Sequence, residues 1–77
     1  MTKIVDRFMS TQLKKFGKNI KAERIKKDIS QEKLGQLAKV HRTYIGMIER
    51  AEKNITLSNM IKIANALDVK LKDLIDF

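Results

Sequence analysis

The sequence predicts an all-α domain of five short helices, and three observations carry that expectation. Apolar residues recur at spacings of three and four almost throughout, with no convincing run at period two. There is no proline and there are only three glycines in 77 residues, so little interrupts a helical chain. Ser30 and Thr56, hydroxyl residues of the kind that cap helices, stand just ahead of periodic segments.

Taken in order, Leu13, Phe16, Ile20 and Arg24 fall on one face of a first helix over 11–27, with Ser10 or Thr11 as its cap. Lysines 14, 15, 18 and 21 take the other side, a solvated face. Ile4, Val5, Phe8 and Met9 either extend this helix by two turns or form a separate arm. Residues 1–10 are therefore an amino-terminal extension and 11–77 the domain proper. Ser30 caps a second helix over 31–38, with Glu32 near the positive end of its dipole. After a turn at Lys39 and Val40, a third helix over 42–50 buries Ile45 and Ile48, three apart. Residues 51–55 form a polar loop. Thr56 caps a fourth helix with Met60, Ile63, Ala64 and Leu67 inside, and Asp68 and Val69 turn the chain into a fifth bearing Leu71, Leu74 and Ile75.

Composition narrows the function. Lys and Arg number 17 against 9 Asp and Glu, a net charge of +8 that attracts nucleic acid, an anionic membrane or an acidic partner. With no cysteine and one histidine, neither a disulfide staple nor a zinc site can form, and no metal or cofactor is expected. No thiol nucleophile or carboxylate cluster suggests an enzyme. No apolar run approaches the ~20 residues that span a bilayer, and the amino end lacks the apolar core of a secretory signal, so a cytoplasmic protein is expected. A chain this short sits near the lower limit for a self-supporting core, which makes dimerisation a plausible further source of stability.

The stretch QEKLGQLAKVHRTYIGMIE, from about Gln31 to Glu49, carries the function. Leu34, Ala38, Val40, Ile45 and Ile48 supply the interior of two helices crossing steeply, and Gly35 sits where they approach closely. Arg42, Thr43, Gly46, Met47 and Arg50 then form the outward face of the second, polar or small enough to enter a DNA groove. From about Phe16 to Ile75 the chain resembles the helix-turn-helix domain of the Cro/C1 (XRE) family. The resemblance rests on GKNIKAERIKKDISQEKLGQLA, RTYIGMIER and NITLSNMIKIANALDVKLKDLI together. Within that family, HRTYIGMIERAEKNIT is most similar to the controller proteins of restriction–modification systems.

The resemblance implies a five-helix repressor-like DNA-binding fold and a role for each site residue. Arg42 and Thr43, at the amino end of the recognition helix, meet base edges. Arginine can donate two parallel hydrogen bonds to guanine, and threonine offers a hydroxyl and a methyl group. Met47 faces the same groove or is a spare surface residue. Gln31 looks like the family's phosphate clamp, aided by the amides of its helix start. Tyr44 either bonds a phosphate or covers the edge of the core, and Arg50, Lys53 and Asn54 are further candidates for the DNA backbone. His41 is read as a surface or capping residue. Arg24 and Glu49 stand where the family has a buried ion pair tying the first helix to the third. Two positions depart from the pattern: Lys39 and Ala51 stand where the family has glycine, at turns that commonly need positive φ.

The expected function is sequence-specific transcriptional regulation by a homodimer on a double-stranded DNA operator, with half-site centres ~10 bp apart. The dimer surface is expected in the region of the fourth and fifth helices and the carboxyl end, including Leu71, Ile75 and Phe77. Without a second domain, no small-molecule ligand is expected. An antitoxin or a phage-type repressor of the same fold is the alternative. A membrane-surface protein would need the apolar faces exposed, whereas this frame buries them.

Overall fold

The computed structural model describes the backbone from Lys3 to Phe77 and side chains from Ser10 onward. Among the described residues there are five helices and no strands: α1 (Lys3–Lys26), α2 (Gln31–Ala38), α3 (Arg42–Glu49), α4 (Leu57–Ala66) and α5 (Leu71–Leu74). α2 packs against α3 and α4, α1 crosses α3 and α5, and α4 meets α5. One core joins Phe16 and Ile20 of α1 to Leu34, Ala38, Ile45, Ile48, Ile63, Ala64, Leu67 and Leu74. Met60 and Leu71 are half-buried against it.

The capping residues behave as their chemistry directs. Ser30 Oγ accepts from the Lys33 amide at 2.9 Å and Thr56 Oγ1 from the Asn59 amide at 3.1 Å, starting α2 and α4. His41 caps α3, its Nδ1 accepting from the Thr43 amide at 3.0 Å. Ser10 and Thr11, in contrast, do not begin a helix. α1 starts at Lys3 and runs through both, since a hydroxyl residue does not begin a helix when the segment before it already keeps helical spacing. The chain thus takes the extended-helix alternative; the side chains of Ile4, Val5, Phe8 and Met9 lie outside the described residues.

Four helices end in the same way. Asp28, Lys39, Ala51 and Asp68 all have left-handed backbones, with φ of 56°, 60°, 59° and 57°. At each, the following amide reaches back five residues: Ile29 to Arg24 O, Val40 to Gly35 O, Glu52 to Met47 O and Val69 to Ala64 O, at 2.8–3.2 Å. These are Schellman closures, and Ile29, Val40 and Val69 then pack on the core as the motif's hydrophobic contact. Lys39 and Ala51 therefore keep the glycine-type geometry without glycine, at a strain of about 1–2 kcal/mol each.

The glycines work elsewhere, at close approaches. A Cβ on Gly35 would lie 2.7 Å from Val40 O and 3.2 Å from the Arg42 amide, so its absence lets the start of α3 fold against α2. A Cβ on Gly17 would lie 2.5 Å from Ile48 O and 2.7 Å from Glu49 O, so α1 can press against the end of α3. Gly46 lies on the groove side of α3 but is buried there. Its surroundings are the Arg50 guanidinium and the Gln31 amide, both of which fold over it.

Candidate nucleic-acid interface

The first turns of α2 and α3 converge on one open groove lined by Arg24, Ser30, Gln31, Glu32, Arg42, Thr43, Gly46 and Arg50. Its floor is set by an ion pair. Arg24 forks onto Glu49, Nε to Oε2 at 2.6 Å and Nη2 to Oε1 at 3.1 Å, with the two side chains 13% and 2% exposed. A third Arg24 donor reaches Ile29 O at 3.0 Å, and the Gln31 amide donates to Glu49 Oε1 at 3.0 Å. Hydrogen bonding to the carboxylate raises the Arg24 pKa above its ordinary value, against the smaller opposing effect of burial. Three helices therefore meet at the Glu49 carboxylate: the end of α1, the start of α2 and the end of α3.

Above this floor the other two arginines of the groove are exposed and paired. Arg42 Nη1 lies 3.0 Å from Glu32 Oε2, and Arg50 Nε lies 3.0 Å from Glu52 Oε2. The hydrogen bond between the latter two raises the Arg50 pKa and lowers that of Glu52, while both side chains stay about half exposed. Thr43 is exposed beside Arg42.

The groove brings together Gln31, Arg42, Thr43 and Arg50, but not every residue singled out above. Met47 is half-buried and does not line it. Tyr44 is half-buried against the core, and its hydroxyl accepts from Asn59 Nδ2 at 3.0 Å. Lys53 and Asn54 are exposed on the loop between α3 and α4, outside the groove. Glu32 and Asn59 are the residues that sequence reasoning passed over. Glu32 looked like a helix-dipole partner, and only the folded turn brings it to Arg42, ten positions on.

Toward the carboxyl end, Leu71 is half-buried in this chain's own core, while Ile75 and Phe77 are 43% and 48% exposed. Lys15 Nζ sits 5.8 Å from the Phe77 ring centre, and Asn19 Nδ2 donates to Leu74 O at 2.8 Å. Leu57 and Ile61, four apart on α4, add exposed apolar surface. Their spacing was visible in the sequence, but only the fold turns that face outward. Among the described residues no helix is long and apolar enough to cross a membrane.

Two short helices with a tight turn, the second presenting polar residues beside the start of the first, define a helix-turn-helix DNA-binding protein. A helix-turn-helix family model matches residues 20–74, and the chain belongs to that family, of the Cro/C1 (XRE) type. It is a DNA-binding transcription regulator, not an enzyme. The chain is 48% identical over 63 residues to the control protein C.BamHI of Bacillus amyloliquefaciens, covering 80% of this chain and 78% of that one. It is 42% identical over 57 residues to the control protein C.SmaI of Serratia marcescens, covering 74% and 68%. The crystal structure of the restriction–modification controller protein C.AhdI from Aeromonas hydrophila superposes with a TM-score of 0.82 at 39% identity, covering 83% of this chain and 97% of that one.

Proposed function

We propose that this chain is a restriction–modification controller: a homodimer of the cytoplasm that reads an operator of two half-sites ~10 bp apart. Residues 11–77 form the DNA-binding domain, preceded by an amino-terminal extension of which residues 3–10 add turns to its first helix. The observation that carries this reading is the groove holding Gln31, Arg42, Thr43 and Arg50, in a chain whose similarity to two control proteins spans most of both lengths. Arg42 and Thr43 read base edges, and Met47 flanks them. Gln31, Tyr44, Arg50, Lys53 and Asn54 hold the DNA backbone, the Gln31 amide keeping one N–H for a phosphate while the other stays on Glu49. The Arg24–Glu49 pair is structural. Leu71, Ile75 and Phe77, joined by Leu57 and Ile61, form the dimer surface.

The test separates readout from attraction. On an operator selected from a random duplex library, Arg42→Ala weakens binding by ~1–3 kcal/mol and barely changes binding to random duplex. Lys53→Ala weakens both alike and lowers the salt slope by roughly one. Fluorescence anisotropy at several salt concentrations distinguishes them. If Arg42→Ala weakens both duplexes equally, Arg42 is a phosphate contact and the assignment of readout to it fails. Sedimentation over a dilution series tests the dimer: Ile75→Lys shifts the equilibrium to monomer, and a wild-type monomer at every concentration, with and without operator, refutes it.

A further inference from the structure

We propose that Glu32 is a specificity-determining residue: its carboxylate holds the Arg42 guanidinium in an ion pair that withholds that charge from phosphates and leaves it available to a base. The inference rests on the reading of the groove as a DNA interface. It starts from a pattern in the charges. All three described arginines line the groove, and each is paired to a carboxylate: Arg24 to Glu49, Arg42 to Glu32 and Arg50 to Glu52. Lysines supply most of the chain's net charge of +8, and the lysine pair among the described residues, Lys26 with Glu23, is loose at 3.5 Å. Long-range attraction is thus left mainly to lysines, and of the two exposed pairs only Arg42–Glu32 ties α3 to α2; Arg50–Glu52 is local to the end of α3 and leaves Arg50 to the DNA backbone.

The Arg42–Glu32 geometry suits a base and not a phosphate. Glu32 and Arg42 are brought together because Gly35 lacks a Cβ, which would lie 3.2 Å from the Arg42 amide and 3.3 Å from its Cα. The pair uses Nη1 alone, at 3.0 Å, so other guanidinium N–H groups stay free for the two acceptors of a guanine edge. Guanine is neutral and can be bound with the pair intact. A phosphate would meet the Glu32 charge beside the arginine, and the pair, near neutral as a whole, would displace few counterions from DNA. With side chains 65% and 59% exposed, the pair is weak enough to adjust its geometry at the DNA surface.

The experiment compares wild type, Glu32→Gln, Arg42→Ala and the double variant on the selected operator and on random duplex across a salt series. Glu32→Gln tightens random-duplex binding and steepens its salt slope by about 0.9, the contribution of one newly neutralised phosphate. The operator-to-random affinity ratio falls. In the double variant the extra slope disappears, because the freed cation is gone. Matching thermal melts of wild type and Glu32→Gln check that the fold is intact. An unchanged ratio in Glu32→Gln, or a steepening that persists without Arg42, overturns the proposal while leaving the regulator reading in place. A wild-type protein that does not distinguish operator from random duplex overturns both.

Discussion

Replacing Glu49 by alanine is the most demanding test of the packing. The Glu49 carboxylate is 2% exposed and accepts two hydrogen bonds from Arg24 and one from Gln31. Removing it strands a guanidinium that is only 13% exposed and that keeps its hydrogen bond to Ile29 O at 3.0 Å. Breaking a buried pair in this way costs about 3–5 kcal/mol, and the slight exposure of Arg24 places Glu49→Ala near the lower end. A domain of 77 residues has roughly 4–12 kcal/mol of stability in all, so this loss removes a quarter or more of it. Urea melts at fixed protomer concentration measure it. The double variant Arg24→Met/Glu49→Leu recovers most of the loss, because no unpaired charge stays behind. A loss below about 0.5 kcal/mol in Glu49→Ala, the range of an exposed pair, would refute the assignment of a buried, structural role.

The other predictions concern glycines, helix ends and titration. Gly17→Ala and Gly35→Ala each force a Cβ against backbone oxygen and destabilise by about 1–3 kcal/mol or more, whereas Gly46→Ala meets chiefly the flexible Arg50 and Gln31 side chains; urea midpoints should separate the first two from the third. Lys39→Gly and Ala51→Gly each relieve about 1–2 kcal/mol of left-handed strain and lose about 0.5–1 kcal/mol to chain entropy, so both raise stability slightly in the same assay. Because Arg50 holds its pKa down, the Glu52 carboxyl titrates below the ordinary glutamate range in carbon-detected NMR and returns to it in Arg50→Ala. The stabilisation from that pair is present above the unfolded glutamate pKa and is lost as pH falls through the depressed folded value.

How far the sequence could be read follows from which interactions are local. Ser30 and Thr56 fixed the starts of α2 and α4 because a cap is satisfied within three residues. The same reasoning failed at Ser10 and Thr11, where a good cap residue lies inside a longer helical segment. The αL positions of Lys39 and Ala51 stood out only against the family pattern. Those of Asp28 and Asp68 escaped notice because aspartate tolerates this conformation and leaves no glycine to mark it. Helical periodicity puts Gly46 on the groove side of α3, where it lies, but cannot register that Gln31 and Arg50 fold over it. The Glu32–Arg42 pair joins residues ten apart across a turn, a juxtaposition that no periodicity encodes.

One pairing of residue types, arginine with glutamate, does two different jobs in this groove, and burial decides which. Exposed pairs of this kind are weak, so Arg42 with Glu32 and Arg50 with Glu52 can adjust their geometry at the DNA surface, Arg42 without leaving its carboxylate. Breaking the buried pair costs several times more, so Arg24 stays with Glu49 whether or not DNA is present. The Gln31 amide donates to that same carboxylate, which fixes the start of α2 relative to the end of α3. A rigid joint below and adjustable charges above therefore follow from one difference: Arg24 and Gln31 close over the Glu49 carboxylate, which is 2% exposed, while those of Glu32 and Glu52 stay in water.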